Sequence, residues 1–305
     1  MSKGSRTVTV AGTTVKLTSQ DKVLFPGEGI TKGDLADYYQ RIAPWMLPYL
    51  KDRPLTLHRY PEGITGEAFL QKSTADYFPE YIKRVLVQKA GGTLEMALAD
   101  EPADLMFLAN LGTITFHPWL SRVDKPDVPD KLIIDLDPPA PEEFELARTA
   151  ALALKELLEE LGLAPFPMTT GSKGVHVVVP VDRKAPFEEM GNFAEAVCAV
   201  IAARNKDKYT TQFYKTGRKG RLFLDTRRNA YAQTAVAPYS VRARAGAPVA
   251  TPLDWEELKD RKLRSNRYTI ATVFDKLERD GDPWKGWTRK AKGLATAWKK
   301  LEALG

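Results

Sequence analysis

The segment that decides the fold is KLIIDLD, residues 131–137. Its even positions are leucine or isoleucine, whereas Asp135 and Asp137 fall on odd positions, and successive side chains of a β-strand point to opposite faces. Pro138 and Pro139 follow directly and end the strand. The segment therefore predicts a strand with one apolar face and two carboxylates on the other, about 7 Å apart at their Cα atoms from a rise of roughly 3.3 Å per residue.

A second stretch, LFLDT at residues 222–226, repeats the alternation and places Asp225 on the less apolar face of another predicted strand. Three such carboxylates suit Mg²⁺ or Mn²⁺, which prefer oxygen ligands. Two of these ions about 3.5–4 Å apart activate an attacking hydroxyl and stabilise a leaving pyrophosphate. An isolated Asp-x-Asp pair is short and common, so the plainer alternative is that Asp137 caps the turn at Pro138 and that Asp225 is a solvated strand residue.

A third stretch, TTGSKGVHVVVP at residues 169–180, predicts a glycine-bearing turn followed by a strand. The glycines permit a tight turn whose backbone N–H groups face an anion, and Lys173 adds a positive charge. His176 lies two residues into the strand, opposite its apolar valine face. The pattern is not a P-loop, and alone it equally fits an ordinary hairpin connection. The other histidines, His58 and His117, lack zinc-ligand spacing, and His58 is interpreted as an ordinary core or surface histidine.

The rest of the chain predicts helices mixed with strands. Residues 5–17 indicate a hairpin around Gly12, and the segment Thr31–Asp34 is typical of a capping box at the start of a helix. Three prolines are expected to break this helix before a strand at PLTLHRYP; they are Pro44, Pro48 and Pro54. Further helices are predicted over 103–111, 142–162, 187–203 and the tail 281–305, with a strand in TITFHPW that begins at residue 113 and ends at Pro118. No repeat is found, which favours one catalytic unit of mixed α/β type.

Composition excludes some classes of protein and favours others. The chain has 305 residues, a net charge of +6 and a sequence pI of about 9.1, which leans toward a polyanionic partner. Its single cysteine, Cys198, excludes an internal disulfide and a cysteine zinc site, and favours a reducing cytoplasm. The sequence has no apolar stretch of roughly 18 residues, and its N-terminus does not resemble a secretory signal.

Taken together, these segments resemble the polymerase domain of bacterial ligase D, the end-joining primase-polymerase of the archaeo-eukaryotic primase superfamily. The resemblance runs from residue 21 to about 260 and is specific as a set. The matching segments are DKVLFPGEGITKGDLADYY, PLTLHRYPEGI, NLGTITFHPW, IIDLDPP, TTGSKGVHVVVP and LFLDTRRNAYAQTAVAPYSVRAR.

The resemblance implies an α+β fold with an RRM-like catalytic core, whose antiparallel or mixed sheets are flanked by helices. It implies a DNA-end-binding part in about residues 1–60, a catalytic core in about 61–260 and a basic helical tail in about 261–305. By position, it implies two Mn²⁺ or Mg²⁺ ions on Asp135, Asp137 and Asp225; nucleotide binding by His117, Thr170, Lys173, His176 and Arg242; a 5′-phosphate grip by Lys22 and Lys32; and template contact by Arg218.

The sequence departs from the family at two places. The family often has two adjacent aromatic residues that stack on bases, whereas this chain has Phe69 and Leu70 there. Ser19 and Gln20 stand where the family often has Asn-Pro. We therefore expect weaker stacking at Leu70 and altered contacts near the 5′-phosphate, since stacking contributes roughly 1–3 kcal/mol per base.

The function implied is template-dependent nucleotidyl transfer, with a preference for ribonucleotides, to a 3′-hydroxyl at gaps or double-strand-break ends during non-homologous end joining. The expected partners are gapped or broken duplex DNA with a 5′-phosphate, nucleoside triphosphates, an end-joining ligase and a Ku-type end-binding protein, without a membrane, in the nucleoid-associated cytoplasm. Two alternatives remain open. Three acids with a cation also suit a phosphoesterase or nuclease, and the basic residues also suit a non-catalytic DNA-end-binding module.

Overall fold

KLIIDLD forms an inner strand of a six-stranded sheet in the computed structural model, which describes residues 4–304. In chain order the strands are β1 (Arg6–Val10), β2 (Thr13–Leu17), β3 (Val23–Phe25), β4 (Ile30–Thr31), β5 (Leu55–Arg59), β6 (Phe69–Gln71), β7 (Arg84–Lys89), β8 (Gly92–Ala97), β9 (Thr113–Pro118), β10 (Ser121–Arg122), β11 (Lys125–Pro129), β12 (Lys131–Asp137), β13 (Phe166–Thr169), β14 (Val175–Pro180), β15 (Tyr209–Thr210), β16 (Leu222–Asp225) and β17 (Thr251–Pro252). The helices are α1 (Lys32–Leu50), α2 (Pro102–Asn110), α3 (Phe144–Glu160), α4 (Phe187–Arg204), α5 (Lys215–Arg218), α6 (Trp255–Leu258), α7 (Val273–Asp280) and α8 (Leu294–Glu302), with 3-10 turns at Pro141–Glu143, Arg227–Asn229 and Trp287–Lys290.

The chain divides into two compact units. Unit 1 comprises the residues up to Asp124 together with Thr234–Val249 and Thr269–Val273, and unit 2 comprises Lys125–Gln233, Ala250–Tyr268 and the residues from Phe274 onward. Each unit is therefore assembled from separate stretches of sequence. That the two units act as the single catalytic unit described above stays a prediction.

Unit 2 is built on a sheet with the strand order β15-β16-β12-β14-β13-β17. All neighbouring strands in it run antiparallel except β15 and β16, which are parallel. The even positions of β12, the odd-numbered valines of β14 and the leucines of β16 enter one buried core with apolar side chains of α3 and α4. Burying each such aliphatic side chain contributes about 1.5–3 kcal/mol, which fixes the register, because a slip by one residue would turn the apolar set away from the helices. The mixed α+β architecture predicted from the sequence is confirmed.

Unit 1 contains the predicted hairpin and the predicted helix start. Strands β1 and β2 pair antiparallel through Ala11 and Gly12, which have positive φ angles of 48° and 85°. This is the conformation of a tight hairpin turn that matches the twist of its strands. Thr31 caps α1: its hydroxyl accepts from the Asp34 backbone N–H, while the Asp34 carboxylate accepts from the Thr31 N–H. Lys32 is therefore the first residue of the helix.

The expectation that prolines break this helix is wrong for two of the three. Helix α1 continues through Pro44 and Pro48 and ends at Leu50. Both prolines lie on its exposed side, where water can hydrate the carbonyl groups that lose their hydrogen-bond donors, while Met46 and Leu50 are buried on the other side. Tertiary burial outweighs the local preference here.

The C-terminal tail is less helical than predicted. Helix α8 covers only Leu294–Glu302, and the residues before it include a short 3-10 turn at Trp287–Lys290. The predicted apolar side of this helix is present, because Leu294 and Leu301 are buried and Trp298 packs against the same core. Within residues 4–304, none of the helices combines the length and apolarity that crossing a bilayer would require.

Candidate active site

The three acids and His176 meet where three strands of unit 2 lie side by side. In the middle strand, Asp135 is directly opposite Asp225 of β16 on one side and His176 of β14 on the other. Residues opposite each other in antiparallel strands share a face, with Cβ atoms about 4.5–5.5 Å apart. Asp137 follows two residues along β12 on the same face. Asp135, Asp225 and His176 are buried, so Asp225 is not a solvated strand residue, and Asp137 is partly exposed.

Opposing effects set the charge of the two β12 carboxyls. Burial raises the pKa of Asp135, but His176 Nε2, 3.5 Å from Oδ1, and an Arg228 guanidinium nitrogen, 3.4 Å from Oδ2, outweigh it and lower the pKa to about 2. The pKa of Asp137 is raised, because burial and the charge of Asp135 outweigh Lys173, whose Nζ lies 3.4 Å from Asp137 Oδ1. Asp135 is thus firmly ionised, whereas Asp137 holds its proton more readily.

His176 has a ring nitrogen whose hydrogen-bonding capacity is unused. Its Nε2 faces Asp135, while its Nδ1 is buried and finds no hydrogen-bond partner in the part of the chain that the structure describes. An unpaired buried polar atom costs about 1–3 kcal/mol. Such an atom in a cluster of charges is expected where a ligand supplies the missing partner.

Asp225 is bound by an arginine that the sequence analysis missed. The Arg227 guanidinium donates from Nε to Oδ1 at 2.9 Å and from Nη2 to Oδ2 at 2.7 Å, and the Arg227 backbone N–H also donates to Oδ1 at 3.0 Å. The hydrogen bond to Asp225 raises the pKa of Arg227, and the charges of Asp135 and Asp137 act in the same direction. The sequence carried a signal for this contact, because two arginines, Arg227 and Arg228, begin two residues after Asp225 in LFLDTRRN.

The carboxylate oxygens are the donor type that Mg²⁺ and Mn²⁺ take, so the chemistry of the set fits these ions. The side chains themselves are turned to basic neighbours: Arg227 for Asp225, Arg228 and His176 for Asp135, and Lys173 for Asp137. Among residues 4–304 no group of three or more His, Cys, Asp or Glu side chains stands in an arrangement that would hold a metal ion. Ion binding here would therefore require these basic partners to yield.

The turn before β14 is held by its own hydroxyls. Thr170 Oγ1 accepts from the Gly174 N–H at 3.2 Å and from the Ser172 N–H at 3.4 Å. Ser265, which the sequence analysis missed, donates from Oγ to the Gly174 carbonyl at 2.8 Å. A Cβ on Gly174 would lie against the Leu136 carbonyl oxygen, far inside van der Waals contact, so the turn's close approach to β12 requires glycine.

Lys173 lies at the end of this turn, where it meets the end of β12. Its ammonium group donates to the Pro138 carbonyl at 3.0 Å and faces Asp137. The tight turn therefore brings a lysine to the most exposed of the three acids. The sequence predicted the turn and the charge, and strand pairing supplied the neighbour.

Asn229 stabilises strand β12 through side-chain hydrogen bonds to its backbone. Its Oδ1 accepts from the Ile133 N–H at 2.8 Å, and its Nδ2 donates to the Ile133 carbonyl at 2.7 Å and to the Thr226 carbonyl at 2.7 Å. The side chain thus makes the two hydrogen bonds that a neighbouring strand would make, two residues before Asp135. An asparagine in a polar loop gave no sequence signal for this role.

Arg218 ends the short helix α5 and lies in a basic loop, residues 211–221, whose arginines donate hydrogen bonds to its backbone carbonyls. Its guanidinium donates to the Gln212 and Phe213 carbonyls at 3.2 and 2.7 Å and stacks 3.9 Å from the centre of the Phe223 ring. Phe213 and Tyr214 are exposed on the same loop. The loop therefore combines exposed aromatic rings with positive charge, the pairing that favours single-stranded nucleic acid.

In unit 1, Lys22 and Lys32 lie together at the start of α1. The pKa of Lys32 is lowered to about 8, mainly by burial and in addition by the charges of Lys22 and Arg59. Lys22 pairs with Glu62 at 2.6 Å, whereas no acidic partner of Lys32 is found between residues 4 and 304. A buried, unpaired ammonium at a helix N-terminus is arranged for an anion. Arg59 is a further member of this cluster that the sequence analysis did not single out.

Phe69 and Leu70 are both exposed on strand β6 of unit 1. The Arg59 guanidinium lies 5.1 Å from the centre of the Phe69 ring and donates to Gln71 Oε1 at 2.6 Å and to the Tyr77 hydroxyl at 3.1 Å. Tyr77 is also exposed. Because Phe69 and Leu70 are consecutive in β6, their side chains point to opposite faces of the strand, and Phe69 shares its face with Arg59.

His117 and Arg242 are also in unit 1, on separate stretches of sequence. His117 lies on β9 opposite Thr56, with its ring 6.3 Å from that of His58. Arg242 follows Val241, whose N–H donates to the Tyr39 hydroxyl at 3.0 Å and whose carbonyl accepts from the Thr115 hydroxyl at 2.7 Å. Burial and then the charge of Arg242 lower the pKa of His58, which places His58 within the same polar group.

The structure thus brings the predicted residues together in two sets. Unit 2 holds Asp135, Asp137, Asp225, Thr170, Lys173, His176 and Arg218. Unit 1 holds Lys22, Lys32, Phe69, Leu70, His117 and Arg242.

Known proteins are similar to this chain in sequence and in fold. Residues 31–284 match the family described as LigD, primase-polymerase domain. The chain is 31% identical over 271 residues to the bifunctional non-homologous end joining protein LigD of Bacillus subtilis, covering 88% of this chain and 43% of that protein. It is 33% identical over 276 residues to the multifunctional non-homologous end joining DNA repair protein LigD of Mycobacterium tuberculosis, covering 88% of this chain and 36% of that protein. The chain thus spans less than half the length of these relatives.

A solved structure, the polymerase domain of Mycobacterium tuberculosis ligase D in complex with DNA, matches with a TM-score of 0.84 and 33% identity, over 91% of this chain and 99% of that one. The sequence match covers most of the chain, and the structural match covers nearly all of an isolated polymerase domain. We conclude that this chain belongs to the LigD primase-polymerase domain family, a family of nucleotidyltransferases that act on DNA.

Proposed function

We propose that this chain is a template-dependent nucleotidyltransferase that extends a 3′-hydroxyl at gaps or double-strand-break ends in non-homologous end joining. The observation that carries the proposal is the row Asp225, Asp135 and His176 on adjacent strands, with Asp137 on the same face. It joins three carboxylates to a histidine with an unpaired buried nitrogen and to a glycine turn that carries a lysine. A phosphoesterase gives no reason for a glycine turn that can bind a triphosphate.

The family is metal-dependent, and we assign Asp135, Asp137 and Asp225 as the residues that would hold two Mn²⁺ or Mg²⁺ ions. Held by these residues, the ions would lower the pKa of the attacking hydroxyl and neutralise charge on the leaving pyrophosphate. The protein's own contribution is to keep Asp135 ionised at neutral pH through His176 and Arg228.

The triphosphate of the incoming nucleotide is assigned to the turn. Lys173 supplies charge at its edge, and the buried Nδ1 of His176 supplies a hydrogen-bonding atom with no other use. Thr170 holds the turn in shape through its bonds to Gly174. His117 and Arg242 of unit 1 are also assigned to nucleotide binding, since positive groups stabilise the negative charge that develops on phosphate.

The DNA end is assigned to unit 1 and to the basic loop of unit 2. Lys22 and Lys32 bind the 5′-phosphate of the downstream strand, since their like charges leave room for an anion. Phe69 and Leu70 contact a base, and Arg218 contacts the template. A preference for ribonucleotides, work alongside an end-joining ligase and a Ku-type protein, and a place in the nucleoid-associated cytoplasm belong to the same proposal.

Primer extension on a gapped duplex tests the proposal, with and without a 5′-phosphate, with ribo- or deoxynucleotides, and with Mg²⁺ or Mn²⁺. We expect template-directed extension, greater with ribonucleotides and Mn²⁺, and none from the variant Asp135→Ala, Asp137→Ala. Shortening of the primer in place of extension would support a nuclease. Repair of ends by the double variant as efficient as by the parent would support a non-catalytic end-binding module.

A further inference from the structure

The bidentate contact between Arg227 and Asp225 has a built-in asymmetry. Both carboxylate oxygens accept from the guanidinium, at 2.9 and 2.7 Å. The Asp225 side chain is 4% exposed, whereas that of Arg227 is 52% exposed. The acid is fixed within the sheet and the arginine has solvent into which it can move.

Arg227 has a second resting place besides the acid. Its guanidinium lies 3.9 Å from the centre of the Phe213 ring and 5.6 Å from that of Phe223. Phe213 is exposed on the loop that carries Arg218. A guanidinium stacked on an aromatic face keeps that contact without a carboxylate partner.

Arg227 and a divalent cation are rivals for Asp225. A carboxylate whose two oxygens face one guanidinium presents its lone pairs to that group, and a second cation there meets like charge. Arg228 differs, because a single nitrogen contacts Asp135 at 3.4 Å and leaves Asp135 Oδ1 to His176. Of the basic side chains that face the three acids in the described residues, Arg227 alone contacts both oxygens of one acid.

We propose that Arg227 is a displaceable counter-ion of Asp225: it neutralises the acids in the metal-free protein and is released from Asp225, onto its contact with Phe213, when a divalent cation binds. This rests on the proposed metal site at the three acids. Arg227 is thus a positioning residue, through which cation binding at Asp225 affects Phe213 and the 211–221 loop.

Mn²⁺ binding, followed by the electron paramagnetic resonance signal of free Mn²⁺, tests the competition without any turnover. We expect Arg227→Gln to bind Mn²⁺ roughly tenfold more tightly than the parent, from loss of a paired, charge-assisted contact. Arg227→Lys keeps the charge but not the two-pronged contact, so its gain should be smaller. Arg228→Gln is the matched control for removing one positive charge near the acids, and we expect a gain of less than about threefold.

Several outcomes would overturn the proposal. An unchanged or weaker Mn²⁺ affinity in Arg227→Gln, or an equal gain in Arg228→Gln, would reduce Arg227 to ordinary charge balance. Asp225→Asn separates the two levels of inference. If the parent binds Mn²⁺ in an Asp225-dependent way and Arg227→Gln gains nothing, only the displacement fails; if neither binds Mn²⁺, the proposed metal site fails and the displacement with it.

A second readout follows the other end of the arginine. In Phe213→Trp we expect Mg²⁺ to change the tryptophan emission as Arg227 leaves Asp225, and we expect no change when Arg227→Gln is added. Equal changes in both would contradict the link to the loop. Circular dichroism melts establish whether each variant is folded. If Arg227→Gln does not fold, Arg227→Lys replaces it in both experiments.

Discussion

The acid row of unit 2 and the lysine cluster of unit 1 handle charge in opposite ways. Each acid in the row is faced by a basic side chain of the same chain, and the net effect on Asp135 is a pKa of about 2. In the cluster, Lys32 is close to Lys22 and Arg59, and its pKa falls to about 8. The acids are thus neutralised in advance by groups that must yield to a ligand, whereas Lys32 is buried beside other cations, so a bound anion would stabilise its charge.

The difference also lies in what holds each region. The acids lie on paired strands that Asn229 holds by hydrogen bonds, while Lys22 directly precedes β3 and Lys32 begins α1. Strands locked by cross-strand hydrogen bonds fix their side chains more tightly than a loop does. We expect substitutions in the row to affect catalysis and stability, and substitutions in the cluster to affect choice of substrate.

The largest expected effect comes from breaking the row. Asp135→Asn preserves the side-chain shape but removes the charge that His176 and Arg228 face. We expect nucleotide incorporation to fall by roughly 1,000-fold or more, since metal-held charge is worth several kcal/mol of transition-state stabilisation. Single-turnover extension measures this, and unchanged affinity for a 5′-phosphorylated end is the control. Incorporation within tenfold of the parent would contradict the assignment.

Next comes the fastening of the row. Asn229→Ala leaves the buried N–H and C=O of Ile133 without partners. We expect the free energy of unfolding to fall by about 2–3 kcal/mol, because each unpaired buried group costs about 1–3 kcal/mol. Urea denaturation measures the loss. Asn229→Asp sets a buried carboxylate oxygen against the Ile133 and Thr226 carbonyls and should lose at least as much stability as Asn229→Ala. A loss below about 0.5 kcal/mol in Asn229→Ala would contradict this role.

The lowered pKa of Lys32 should appear as a pH dependence of DNA-end binding. With a pKa of about 8, Lys32 loses its proton as pH rises from 7 to 9, so the preference for a 5′-phosphate should decline by roughly tenfold over that range. The phosphate itself is fully ionised there, since its second pKa is about 6. Fluorescence anisotropy with 5′-phosphorylated and 5′-hydroxyl ends measures the ratio. In Lys32→Arg the decline should vanish, and a decline of the same size there would assign it elsewhere.

The smallest expected effect is a gain at the exposed surface. Leu70→Phe supplies an aromatic ring at the second exposed position of β6, and we expect affinity for gapped DNA to rise about fivefold, from a stacking contribution of roughly 1 kcal/mol. Phe69→Ala should weaken binding by a similar factor. Filter binding at fixed ionic strength measures both, and no response to either variant would remove this surface from the DNA site.

Local sequence patterns predicted the individual strands, turns and caps better than they predicted which segments lie next to one another. The faces of Asp135 and Asp225, the hairpin at Gly12 and the cap at Thr31 follow from two-residue alternation or from turn and cap chemistry within four residues. The continuation of α1 through Pro44 could not be predicted in this way, because burial of its other side decides it. The resemblance supplied the candidate roles, which alternation alone left as a metal site of unspecified chemistry.

By itself, the sequence determined which side of each strand is apolar and where its carboxylates point, because side-chain alternation is a property of the extended backbone. Only the tertiary structure decided that β16 and β14 flank β12, so that Asp225 and His176 lie on either side of Asp135. The tertiary structure also decided that the Arg227 guanidinium donates to both carboxylate oxygens of Asp225. Strand order and ion pairing depend on contacts between distant segments, and a shared buried core selects those contacts after the local pattern has been set.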